Sequence, residues 1–152
     1  VFANTFYLAG STSNIKTLRS RAKDLEQRGL RWVNNHPWVT DEVNMLQMGK
    51  SSKDLENGPV IRAGLAAKDI CGASGAALFV AVISNHSQRG VFFEIGARIG
   101  ANKEAHIIIE DGTKDYLFYH HPCALIYESW NDFIMACFPF EGNIPSDVSL
   151  TD

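Results

Sequence analysis

Apolar positions along the chain fall into two patterns. Short unbroken runs, bounded by glycines and small polar residues, read as strands buried on both faces of a parallel sheet. Thr5–Ala9 (TFYLA), Gly75–Ile83 and Ala105–Ile109 are the clearest, and Leu30–Asn34 and Leu125–Tyr127 are shorter candidates. Between them, apolar residues recur at helical spacing. Ile15, Leu18, Ala22 and Leu25 form one inward stripe, with Gly29 as its stop. Pro59 suits the first turn of a second helix reaching about Ser74, which Gly64 and Gly72 weaken by about 1 kcal/mol each relative to alanine. Gly90–Ala101 reads as a third helix, with Val91, Ile95, Ile99 and the stem of Arg98 inward. Ser129 and Asp132 form the S-x-x-D signature that starts a last helix, which runs to about Phe138.

The order is β-α-β-(long segment)-α-β-α-β-β-α. Right-handed crossovers turn this into one doubly wound, five-stranded parallel α/β sheet with helices on both faces. The simplest strand order is the flavodoxin-like 2-1-3-4-5. Residues 1–140 then form one domain and residues 141–152, rich in turn formers, a tail. Asn35–Gly58 has no clear period, although Val43–Met48 could hide a short helix. In order 2-1-3-4-5 the loops after strands 1 and 3 open into one crevice, the usual place for a ligand.

Charge and composition narrow the class of partner. The net charge of -3 argues against a nucleic-acid polymer, which needs a basic footprint. No apolar run is long enough to span a bilayer, and no leader segment is evident, so a cytoplasmic protein is expected. Cys71, Cys123 and Cys137 follow no metal spacing and read as reduced thiols.

The candidate chemistry sits in the crevice. Gly10-Ser11-Thr12-Ser13-Asn14 is either a tight βα turn or a cradle for a phosphate or sugar oxygen. Trp32 and Trp38 could stack on a base, though core packing accounts for either alone. Asp69 lies at the inward edge of the second helix, a position that suits a surface carboxylate or one aimed into the crevice. Glu94 falls in the first turn of the third helix, where the helix dipole favours an ionised carboxylate. Two carboxylates in one crevice are the equipment for cleaving a glycosidic bond. Taken alone, Glu94 could equally stabilise a helix terminus.

Three segments in this order resemble the nucleoside 2-deoxyribosyltransferase family and the related deoxynucleoside 5'-monophosphate N-glycosidases. They are FYLAGS (residues 6–11), KDICGASGAALFVAV (residues 68–82) and GVFFEIGARIGANK (residues 90–103). FYHHP and SWNDF are weaker matches, and the likeness spans about Phe6–Phe138. The resemblance implies that Glu94 attacks C1' to form a glycosyl–enzyme intermediate, that Asp69 assists at the base or sugar, and that Tyr7 orients the Glu94 carboxylate. It also implies that no metal or organic cofactor is needed, and a homo-oligomer, with Asp111–His121 as a loop that could reach a neighbour's site. The transferases carry a sugar-contacting aspartate six residues before the nucleophile, and here that position is Gln88. Its loss removes repulsion against a 5'-phosphate, for which Ser11, Ser87 and Arg89 are candidate partners; Gln88 and Gly90, like Gly10, complete the expected substrate-binding set. Taken alone, Arg89 and His86 read as solvated loop residues. A nucleoside or nucleotide is thus the expected small-molecule partner, with N-glycosidic cleavage by hydrolysis or base transfer as the expected reaction. The alternatives are a non-catalytic nucleotide sensor of the same fold and a flavin mononucleotide binder, which leaves Glu94 without a role.

Overall fold

The computed structural model of the chain describes residues 4–11, 15–35, 59–85, 88–113 and 115–139. Strands β1 (Thr5–Ala9), β2 (Arg31–Trp32), β3 (Leu78–Ile83), β4 (Ala105–Ile109) and β5 (Ala124–Tyr127) form one parallel sheet in the order β2-β1-β3-β4-β5. The helices are α1 (Ile15–Gln27), α2 (Pro59–Gly75), α3 (Arg89–Gly100) and α4 (Trp130–Cys137), with a 3₁₀ turn at Leu117–His120. This is the expected doubly wound architecture.

Alternation along the strands sorts the core into two layers. Phe6 and Leu8 of β1 and Val80 and Val82 of β3 pack under the α1 stripe Ile15, Leu18, Ala22 and Leu25 and under Phe133 and Ile134 of α4. Tyr7, Ala9, Phe79, Ala81 and Ile83 face the other way, against Ala73 of α2 and Val91 and Ile95 of α3. Tyr7 and Glu94 therefore belong to the α2–α3 layer, whereas Gly10, Ser11 and α1 adjoin the other.

Several boundaries move, each for a visible reason. The second helix runs through Gly75, so β3 starts at Leu78 rather than Gly75. Residues 73, 76 and 77 offer their carbonyls to the Arg98 guanidinium and so end the helix rather than join the sheet. Strand β2 is two residues long, not five. Beyond it the Asn34 carboxamide takes over the ladder: Oδ1 accepts from Leu8 N at 3.0 Å and Nδ2 donates to Leu8 O at 2.7 Å. Oδ1 also accepts from Trp32 Nε1 at 2.7 Å. Trp32 is a core residue, stacked on Phe6 at 6.2 Å. Trp38, the suggested helix at Val43–Met48 and the tail at 141–152 lie outside the described residues. Ser129 Oγ accepts from Asp132 N at 3.1 Å, the cap that its motif calls for.

Asn34→Ala is expected to cost about 2 kcal/mol, because it strips both polar partners from the Leu8 backbone at the sheet edge. Urea unfolding monitored by tryptophan fluorescence measures it, and a loss below about 0.5 kcal/mol would show that water replaces the amide without penalty.

Candidate active site

Three side chains from three elements converge in the α2–α3 layer. Tyr7 stands mid-strand on β1, 2 % exposed, its ring stacked on Phe79 of the paired β3 position at 5.7 Å and 12°. Its hydroxyl donates a hydrogen bond to the Glu94 carboxyl of α3. Asp69 of α2 is near enough for its charge to act on both. The sheet supplies the tyrosine, and each covering helix supplies one carboxylate.

Glu94 does not lie in the first turn of its helix. Helix α3 begins at Arg89, so Glu94 sits in the second turn, and the first turn holds no acidic residue. The unpaired N–H groups that make a helix N-terminus attractive to anions lie a turn away. Burial governs Glu94 instead. It pushes the carboxyl from 4.5 up to about 7; the Tyr7 hydrogen bond pulls it down, and the Asp69 charge adds to the rise. The ionised resting carboxylate expected from the helix dipole is thus replaced by a group that exchanges its proton near neutrality. Tyr7 is pushed far above the ordinary phenol range, first by burial and then by the negative charge of Glu94 and Asp69, so it remains a donor at every physiological pH.

Other expected site residues fall elsewhere. Gly10 and Ser11 line a small recess with Thr17, Arg21, Ser84 and Glu110, on the α1 side of the strand ends. Arg21 and Glu110 form an ion pair across it. A Cβ at residue 10 would come 2.7 Å from Leu18 Cδ1, so the end of that side chain would have to shift. The Gln88 carboxamide is engaged within its own loop. Its Oε1 accepts from Ser84 N at 2.8 Å, Ser84 Oγ at 3.1 Å and Asn85 N at 2.9 Å, and its Nε2 donates to Val82 O at 3.2 Å. Gln88 therefore shapes the loop after β3. Arg89 and Gly90 are exposed at the start of α3. Arg89 joins Phe92, Phe93 and Tyr116 around an open groove of about 410 Å³. Helical spacing puts Arg89 and Phe93 on one side of α3 and Glu94, with Val91 and Arg98, on another. His86 and Ser87 lie outside the described residues.

Two residues that the apolar pattern did not single out for the site support it. Gly72 of α2 touches the Tyr7 ring, and Arg98 pins the end of α2. A helical glycine one turn after Asp69 was the available signal for the first. Among the described residues no group of three His, Cys, Asp or Glu side chains could hold a metal ion. No helix among them is long and apolar enough to cross a membrane. No protein-family model, curated protein or solved structure matches the chain.

Tyr7→Phe removes the one interaction that draws Glu94 downward. The carboxyl is then expected to titrate higher, by roughly one pH unit, given what a hydrogen bond to a charged group contributes. Carboxyl ¹³C chemical shifts followed against pH report this directly, and an unchanged or lowered midpoint would remove Tyr7 from the control of Glu94.

Proposed function

We propose that this protein cleaves the N-glycosidic bond of a nucleoside or nucleoside 5'-monophosphate, with Glu94 as nucleophile. One observation carries the reading. A half-buried carboxyl, raised to about 7, is held by a tyrosine hydroxyl and feels the charge of a second carboxylate in the layer above the sheet. Titratable groups perturbed by burial together with a specific charged neighbour concentrate at reactive sites. The resemblance of the three segments around Tyr7, Asp69 and Glu94 to the deoxyribosyltransferase family supports the same assignment.

In the reaction an ionised Glu94 oxygen bonds to C1' as the C1'–N bond breaks. The bonding pair leaves with the base, whose nitrogen takes a proton from water, and Asp69 assists at the base or sugar. Tyr7 stabilises the ionised carboxylate and fixes its direction. Water then attacks C1', the bond from C1' to the Glu94 oxygen breaks to restore the carboxylate, and the water's spare proton passes to solvent as the sugar leaves; in transfer a second base attacks instead. Only ionised Glu94 attacks, so the rate of the first step rises with pH through about 7. Burial favours the neutral acid and so raises the energy of the ionised carboxylate, which is the attacking species.

The partner part of the proposal is a homo-oligomer of cytoplasmic enzyme. Phe93 of α3 and Leu117 of the 3₁₀ turn are each 76 % exposed, and Phe118 beside them is 64 % exposed. Apolar side chains clustered in this way suit a protein interface.

The test is incubation with deoxynucleosides and their 5'-monophosphates, with and without a second base, analysed by chromatography. Free base without an acceptor identifies a hydrolase, and base exchange alone a transferase. Binding without either reaction would replace the enzyme by the nucleotide sensor. The absence of both binding and reaction would overturn the assignment.

A further inference from the structure

We propose that Gly72 is a positioning residue for the Tyr7–Glu94 pair: the absence of a side chain lets α2 rest on the tyrosine ring and so fixes where the hydroxyl meets the carboxyl. The inference rests on the proposed role of Glu94 for its meaning in catalysis, but not for its test.

A Cβ at residue 72 would lie 3.1 Å from Tyr7 Cδ2 and 3.2 Å from Cε2. These separations are tighter than ordinary van der Waals contact, so something has to move by a few tenths of an ångström. Three surroundings decide what moves. Strand β1 is held on both sides, by β2 and by β3, so its backbone is fixed. The C-terminal end of α2 is pinned by Arg98, whose Nη1 donates to the carbonyls of Ala73 and Ala76 and whose Nη2 donates to Ala77 O at 3.3 Å. Residue 73 follows directly on Gly72, so the helix cannot retreat from the ring. The Tyr7 side chain is therefore the part that gives, and Phe79 stacked at 5.7 Å restricts its direction. The hydroxyl swings at the end of the ring and moves most.

Helix propensity gives no reason for a glycine here. In a helix interior glycine costs about 1 kcal/mol relative to alanine. Among the described residues nothing comes within 4 Å of where a Cβ on Gly64 of the same helix would lie, so Gly64 shows no such close approach. Asp69 lies one turn before Gly72 and hence on the same side of α2. The spacing that lets the helix touch Tyr7 also sets how near the second carboxylate stands.

The test is the Glu94 carboxyl midpoint, read by ¹³C NMR without substrate in four proteins: unmodified, Gly72→Ala, Tyr7→Phe and the double variant. Gly72→Ala is expected to raise the midpoint by roughly half to one pH unit through a weakened hydrogen bond. In the Tyr7→Phe background the same substitution is expected to leave it unchanged, because no hydroxyl remains to misplace. A folded Gly72→Ala protein with an unmoved midpoint, or an equal rise in both backgrounds, would overturn the proposal. If Gly72→Ala does not fold, Phe79→Leu provides room for the ring. Gly72→Ala with Phe79→Leu must then titrate above Phe79→Leu alone, and equal midpoints would also overturn it. Turnover of deoxynucleotides is assayed separately, so an inactive protein that passes the titration test sinks the enzymatic reading and leaves this one standing.

Discussion

Glu94→Gln is expected to abolish turnover and to make the protein more stable at pH 8. The loss of activity follows from removing the nucleophile: glutamine keeps the shape and accepts from Tyr7, but its neutral oxygen does not attack C1', and a fall of about 10³-fold or more is expected. The gain in stability follows from proton linkage. Between 4.5 and about 7 the folded protein keeps a proton on Glu94 that the unfolded chain has released. Wherever the folded state holds more protons, stability falls as pH rises. Across that window the wild-type protein therefore loses roughly 3 kcal/mol from this group, at about 1.4 kcal/mol per pH unit. Glutamine does not titrate, so the variant is spared the loss. Urea unfolding of both proteins at pH 4 and pH 8 measures the difference. Parallel pH dependences would mean that the Glu94 carboxyl is solvated in the folded state, and retained turnover would remove it from the mechanism.

Arg98→Met is expected to be the most damaging change to the fold, by about 3–5 kcal/mol. Arg98 is 4 % exposed. Its Nε donates to Glu104 O at 2.8 Å, and its two terminal nitrogens serve the carbonyls of Ala73, Ala76 and Ala77. One guanidinium thereby closes the C-terminal end of α2 and ties the start of β4 to α3. Methionine fills much of the volume but leaves the buried Ala73 and Ala76 carbonyls without this donor, and unmet buried carbonyls carry their full desolvation penalty. Arg98→Lys is expected to recover only part of the loss, because an ammonium cannot serve the planar fan of acceptors. Thermal and urea unfolding check both variants, and a loss under 1 kcal/mol for Arg98→Met would show that water or a shifted helix end takes over the carbonyls.

The sheet and its order were legible because parallel strands advertise themselves. Runs such as TFYLA and AHIII are apolar on both faces, and the spacing of Ile15, Leu18, Ala22 and Leu25 identifies the buried side of α1. What escaped were features made by residues distant in the chain. Asn34 reads as a strand end, yet its amide completes the edge of β1 twenty-six positions away. Gly72 reads as a weakness in a helix until the Tyr7 ring is seen beside it. The inward stem of Arg98 was apparent from its spacing, but not the three carbonyls that its head finds in the residues ending α2. Glu94, Asp69 and Tyr7 were readable as candidates through the resemblance. The protonation of Glu94 was not, because its helix starts at Arg89 and because burial outweighs the dipole.

Helix α3 carries the proposed nucleophile and, one turn later, the cation that fastens its neighbour. A single rigid rod thus couples reactivity to architecture. Mild heating or sub-denaturing urea that loosens the fastening is expected to let solvent reach residue 94, so that the acid reverts towards ordinary carboxylate behaviour before the strands part. Loss of its abnormal proton affinity would then serve as an early gauge of unfolding.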